Sequence, residues 1–99
     1  MTTVHWLQGV EFEWDEDKAQ SNSVKHGVTF FEAAEVFFDP FYQTGEATQT
    51  ESIEQRDFIL GYSATLRLLL VVDTERGERT RIISARPATR PERKSYESS

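Results

Sequence analysis

Ninety-nine residues are enough for one domain with a modest core and little stability to spare. The absence of cysteine removes disulfides and thiolate metal sites, and two histidines, His5 and His26, argue against a zinc enzyme. The net charge of −6 excludes a protein that is basic all over, but the charge is unevenly distributed. Residues 1–75 carry four Lys/Arg against fourteen Asp/Glu, whereas residues 76–99 carry seven against three. Such asymmetry points to a local anion site on a molecule that repels polyanions elsewhere.

Residues 1–9 read as a poorly ordered extension, and His5 is given no function. Met1–Val10 lacks the basic start and apolar run of a signal peptide, and no run approaches the roughly 20 apolar residues of a membrane span. A soluble, cytoplasmic protein with a single domain over residues 10–99 is the expectation. Val10-Glu11-Phe12-Glu13-Trp14 alternates like a half-buried strand. Asp15 then caps a helix that runs to Lys25-His26 and stops at Gly27. Thr29-Phe30-Phe31-Glu32 has a capping-box pattern and opens a second helix, with Phe30, Ala33, Ala34, Phe37 and Phe38 on one stripe, ending at Asp39-Pro40.

Phe41–Thr44 predicts a short strand and Gly45–Gln55 a mobile loop. Arg56–Tyr62 is the next strand. Arg67–Asp73 and Arg81–Arg86 form a hairpin, and Arg90–Glu97 a closing helix entered through Thr89. The order strand, two helices, three- to four-stranded antiparallel meander and C-terminal helix is an α+β fold. A three-residue hairpin loop, Glu75-Arg76-Gly77, sets Asp73 opposite Arg79 and Val71 opposite Arg81. One face then carries Leu68, Leu70, Val72 and Ile82 and packs on the helices. The other carries Arg67, Asp73, Arg79 and Arg81 outward. Asp73 and Arg79 read as a cross-strand ion pair, while Arg67 and Arg81 face no acid. Arg86 points towards the last helix and serves either to tie that helix down or to extend the cationic face. Lys25-His26 reads two ways: as cations suited to a helix C-terminus, or as acid–base groups.

Phe12-Glu13-Trp14-Asp15, Lys25-His26-Gly27-Val28-Thr29-Phe30, Phe38-Asp39-Pro40, Thr74-Glu75-Arg76-Gly77, Arg81-Ile82-Ile83-Ser84-Ala85-Arg86, Ala88-Thr89 and Glu92-Arg93 together resemble the BrnT toxin family, in order and spacing over about residues 11–97. The resemblance implies a RelE-like fold and an endoribonuclease, working without metal or other cofactor, that arrests translation. It also implies a BrnA-like ribbon-helix-helix antitoxin, a toxin–antitoxin heterotetramer, and operator DNA contacted only through the antitoxin. The sequence departs from the family pattern in three places. Gly61-Tyr62-Ser63 stands where Gly-Arg-Ser is common, Leu66-Arg67 where Gly-Arg is common, and Pro87 replaces a lysine.

The matching candidates for catalysis are Lys25, His26, Arg67, Arg81 and Arg86. Arg67 and Arg81 are expected to clamp the phosphate, Arg86 to support them, and His26 to act as acid or base with Lys25 in reserve. Arg79, Arg90 and Arg93 are candidates for further RNA contact, the alternative being solvated surface cations, as for Lys94. Glu54 and Tyr96 are weaker candidates. The rival reading is a non-catalytic module that only complexes the antitoxin and co-represses the operon.

Overall fold

A computed structural model describes residues 1–47 and 55–99. Six strands form one sheet in the order β1-β2-β6-β5-β4-β3. They are β1 (Thr2–Leu7), β2 (Val10–Asp15), β3 (Gln43–Glu46), β4 (Asp57–Tyr62), β5 (Leu68–Arg76) and β6 (Arg79–Pro87). The helices are α1 (Glu16–His26), α2 (Phe30–Glu35), continued by a 3₁₀ turn at Val36–Phe38, and α3 (Arg90–Glu97). Strands β3 to β6 make the expected antiparallel meander, which brings β6 back to lie parallel to β2.

The helix boundaries follow the sequence signals. Asp15 accepts from the Lys18 backbone at the start of α1, and left-handed Gly27 closes it. Thr89 and Glu92 form a complete capping box on α3. At the entry to α2, Thr29 accepts from the Glu32 backbone, but the Glu32 carboxylate is engaged elsewhere. The strands differ from the sequence reading at several boundaries, β5 and β6 each reaching further into the hairpin than expected. Residues 1–9 are not a loose extension, because Thr2–Leu7 alternates outward and inward and pairs along β2 from Thr2↔Asp15 to Leu7↔Val10. Strand β3 also begins two residues later than expected. Residues 48–54, including Glu54 and most of the predicted mobile loop, lie outside the described residues.

The expected hairpin register is corrected. Arg76 pairs with Arg79 across a two-residue turn whose first residue, Gly77, has φ +64°, as a type II′ turn requires. Asp73 therefore faces Ile82 instead of Arg79, and no Asp73–Arg79 ion pair exists. Between Val72↔Ser84 and Asp73↔Ile82 the pairing shifts by one, leaving Ile83 as a bulge in β6. The bulge reverses the alternation, so Ile82 and Ala85 both reach the core although three residues apart.

The leucine face is corrected with it. Leu69 and Val71, with Phe12, Trp14, Ile59, Ile82 and Ala85, pack beneath Val28, Phe30, Ala33, Ala34 and Val36. Leu68, Leu70 and Val72 belong to the opposite face, over which α3 lies at one end. Gly61 permits the close approach of the 3₁₀ turn. A Cβ there would sit 3.1 Å from a methyl of Val36 and from the Asp39 carboxylate.

Helix α1 docks by an unusual means, since Asn22 is its one buried residue. Strand β2 turns into α1 just past its short pairing with β6, so the outer edge of β6 at Ala85 lacks a strand. The Asn22 amide takes that place. Its Oδ1 accepts from the Ala85 N–H at 3.1 Å, and its Nδ2 donates to the carbonyls of Ala85 (2.8 Å) and Val28 (3.0 Å). Substitution Asn22→Ala leaves three buried backbone groups unpaired and should cost about 2–4 kcal/mol in urea unfolding, while Asn22→Gln should not restore it.

Asp73 is buried, one carboxylate oxygen has no partner among the described residues, and the group faces Asp57 across the sheet. Burial, then repulsion from Asp57 and Glu75, pushes its carboxyl up to about 7. The folded chain thus holds a proton that the unfolded chain, near the ordinary 3.8, releases. Stability should fall as pH rises from about 4 through 7 and stay lowered above. Asp73→Asn should raise the stability at pH 8 by on the order of 2–4 kcal/mol and change it little below pH 4, as read by urea titration at the two pH values.

Candidate functional site

Three arginines of the second half are neutralised by carboxylates that the acidic first half supplies. Phe12 and Trp14 point into the core, so Glu11 and Glu13 point away from the helices. There the Arg79 guanidinium binds Glu11 and reaches Glu13 at 3.5 Å, and Arg81 binds Glu13. This ladder fastens β6 to β2 beside their short parallel pairing. At the far end of the sheet the guanidinium of Arg67 meets Glu32 of α2, donating through Nε at 2.9 Å and through Nη2. Arg86 forms a two-pronged pair with Glu92 of α3, both arms at 2.8 Å, which ties that helix down as one of the two sequence readings had it.

The expected pairing of Arg67 with Arg81 does not occur. Arg67 reaches the helix side of the sheet, whereas Arg81 shares the opposite side with Glu13. Both face acids, contrary to the hairpin reading, because Glu32 and Glu13 come from elements outside the hairpin. The bulge at Ile83 also gives Arg86 the same side as Arg81, not the opposite one. Arg90 and Lys94 have no side-chain partner among the described residues, and Arg93 donates to the Tyr62 hydroxyl at 3.3 Å.

One group of the candidates does come together. Arg67 Nη2 also donates to the Gly27 carbonyl at 2.9 Å, which fixes the guanidinium against the end of α1, where Lys25 and His26 lie. Lys25 is exposed and His26 half-buried, and neither has a hydrogen-bond or ion-pair partner among the described residues. Glu32 additionally accepts from the hydroxyls of Ser63 (2.8 Å) and Thr65 (3.0 Å). The Arg67 guanidinium first, then these hydroxyls, outweigh burial and hold the Glu32 carboxyl down at about 2. A guanidinium has five N–H donors. Nε and Nη2 are used here, so the two on Nη1 stay open on a side chain 42% exposed.

An anchored cation with one free edge, bonded to the residue that follows Lys25 and His26, is chemically able to hold a phosphate near groups that can exchange a proton. Glu32 and Ser63 were missed as parts of this arrangement. Glu32 read only as a capping residue, and its real partner is 35 positions away. Tyr96 is elsewhere: its hydroxyl donates to Asp39 at 2.6 Å, and burial together with that carboxylate pushes it up to about 12. Among the described residues no cluster of three or more His, Cys, Asp or Glu is arranged to hold a metal, and no helix is long and apolar enough to cross a membrane.

A mixed α+β domain, with N-terminal strands and helices, a six-stranded sheet and a C-terminal helix, is the class that this geometry defines. The family model for the ribonuclease toxin BrnT of type II toxin–antitoxin systems matches residues 14–92, and the chain belongs to that family. The crystal structure of the Brucella abortus ribonuclease toxin BrnT superposes with a TM-score of 0.59 at 25% identity, over 78% of this chain and 94% of that one. Curated protein sequences give no significant match.

Replacing Arg67 by alanine should let the Glu32 carboxyl rise from about 2 towards its ordinary 4.5, measured by carboxyl NMR titration. Because Glu32 is depressed in the folded state, its pairing stabilises the protein above about pH 4.5 and is lost as pH falls towards 2. Half-exposure of Arg67 limits the loss in Arg67→Ala to about 1 kcal/mol at pH 7.

Proposed function

We propose that this chain is a metal-independent endoribonuclease that cuts messenger RNA, arrests translation, and is held inactive by a ribbon-helix-helix antitoxin of the BrnA kind, with operator DNA reached through that partner. The observation that carries the reading is the open edge of Arg67, which is bonded to the carbonyl of Gly27 next to His26 and Lys25, two side chains without a partner among the described residues. Membership of the ribonuclease toxin family supports the substrate class.

RNA cleavage through the 2′-hydroxyl requires a base to take its proton, cations for the charge growing on the phosphate, and an acid for the leaving 5′ oxygen. Arg67 Nη1 binds a non-bridging phosphate oxygen, Lys25 adds a second positive charge, and His26 exchanges the proton. Glu32 positions Arg67 and takes no proton itself at neutral pH. Arg86 lies on the opposite face of the sheet from Arg67, where its pair with Glu92 holds α3, and like Arg81 it is not assigned to the phosphate. Arg81 holds β6 to β2 and is no longer assigned to the phosphate. Arg90 and Arg93 line α3 as candidates for contact with the strand beyond the scissile phosphate. The substitutions at Tyr62 and Pro87, which remove two cations of the family pattern, favour keeping the second reading under test: a module that binds antitoxin without cutting.

Purified protein should cleave single-stranded RNA in the presence of chelator. His26→Ala and Arg67→Ala should each reduce the rate by about 10²–10³-fold, and Arg81→Ala should act through stability alone. Unchanged cleavage by both site variants would remove the assignment, and absence of cleavage by the parent protein in any buffer would favour the binding-module reading.

A further inference from the structure

A large cavity lies beside this site and has no part in it so far. It is an open groove of about 570 Å³ between the C-terminal end of α2, the turn Ser63–Leu66, and Tyr96 of α3. That volume is within the roughly 300–1,000 Å³ of small-molecule sites. Ser63 joins it to the cation cluster, since the residue lines the groove and its hydroxyl holds Glu32, the anchor of Arg67. The groove is aromatic and apolar: Tyr62 stands edge to face with Tyr96 at 5.3 Å, and Phe41 and Leu66 are 75% and 78% exposed.

Two details separate it from an ordinary surface depression. Leu66 has φ +65°, a left-handed conformation that L side chains with a Cβ rarely adopt, and the residue places its apolar side chain at the rim. Glu35 lines the same groove and uses Oε1 to accept from the Ala64 N–H at 3.1 Å, leaving Oε2 without a partner among the described residues. Asp39, by contrast, is saturated by the Tyr96 hydroxyl and the N–H groups of Tyr62 and Phe41. Arg93, bonded to the Tyr62 hydroxyl, puts a cation at the edge.

A flat ring with an apolar face and N–H donors along one edge matches these features, and a phosphate is disfavoured by the open carboxylate oxygen of Glu35. We infer that the groove seats the nucleobase next to the bond that is cut, with Tyr62 and Phe41 against its faces and Glu35 reading its edge. Guanine is the base selected, because its N1–H and N2–H present adjacent donors to one carboxylate, Oε2 being open and Oε1 keeping a second lone pair, whereas uracil, cytosine and adenine each set a single donor group beside a carbonyl or ring-nitrogen acceptor that the carboxylate repels. This rests on the ribonuclease reading and adds to it the substrate preference.

Binding and cutting can be scored apart. Fluorescence anisotropy of labelled 2′-O-methyl oligouridylates, which lack the attacking hydroxyl, measures binding alone. An oligomer with a single guanosine should bind about tenfold more tightly than the same oligomer with inosine, which lacks the 2-amino group. Glu35→Gln should erase that ratio, and Tyr62→Leu should weaken both. The inosine comparison stands on the parent protein if a variant fails to fold. Equal binding of guanosine, inosine and uridine oligomers, or failure of all to bind while all-ribose RNA is still cut, overturns the inference. The guanosine preference without any cutting supports the groove and sinks the ribonuclease reading instead.

Discussion

The rest of the structure depends on how the outer edge of β6 is completed. Strand β2 runs beside β6 only at Phe12↔Thr80 and Glu13↔Arg81 before the chain leaves to form α1. Past that point β6 offers backbone donors and acceptors to nothing, and a buried strand edge left so would cost several kcal/mol. Asn22 supplies a single amide that imitates the missing strand at Ala85. A helix without an apolar stripe is thereby held on the sheet. The position of α1 in turn fixes Gly27 and the chain direction into α2. The bulge at Ile83 belongs to the same arrangement, because it turns Ala85 inward beneath α1 while Ile82 stays in the core.

The lopsided charge distribution has a physical use that net charge conceals. The acids of the first half are counter-ions placed where topology needs a tie. Glu11 and Glu13 face Arg79 and Arg81 across the parallel β2–β6 junction, which has few backbone bonds of its own. Glu32 faces Arg67 across the gap between α2 and the turn before β5. The Arg79 and Arg67 ties are partly exposed and contribute modestly alone, while Glu13 is buried and its pairing with Arg81 mainly offsets the cost of burying its charge. Their effect is to orient guanidinium groups, and orientation is what separates Arg67, open at Nη1, from Arg81, which is 19% exposed beneath Glu13.

Much of the fold was legible in the residues because it was written in local signals. Asp15, Gly27, Thr29 and Thr89 mark helix ends by side-chain and backbone chemistry that acts within a turn. The meander followed from short connections. What misled was the hairpin: Thr74-Glu75-Arg76-Gly77-Glu78 admits either a three-residue loop with glycine last or a two-residue turn with glycine first. The burial pattern that should choose between them is blurred by β5, buried on both faces. The bulge then put Arg86 on the same face as Arg81, and no local signal marks a bulge at Ile83. Thr2–Leu7 was passed over because a neutral alternating run at a chain end is ambiguous without its partner strand. Family resemblance named the candidate cations, but only long-range contacts such as Arg67–Glu32 and Arg67–Gly27 sort those facing a substrate from those holding the sheet together.

That sorting changes what the departures from the family pattern mean. Read along the chain, tyrosine for arginine at position 62 and leucine for glycine at position 66 are lost cation and lost flexibility beside the site. In the fold both residues line the groove next to Arg67, where a cation would compete with the Glu35 carboxylate for whatever enters. An arginine at position 62 would grip the RNA backbone by charge, which carries no sequence information. On the proposal that the groove seats a base, an aromatic ring there and an apolar rim at position 66 transfer part of the binding from phosphate to base, where stacking acts with far less dependence on salt. Weaker electrostatic capture in an acidic molecule is then offset by contact with the one part of the nucleotide that differs between sequences.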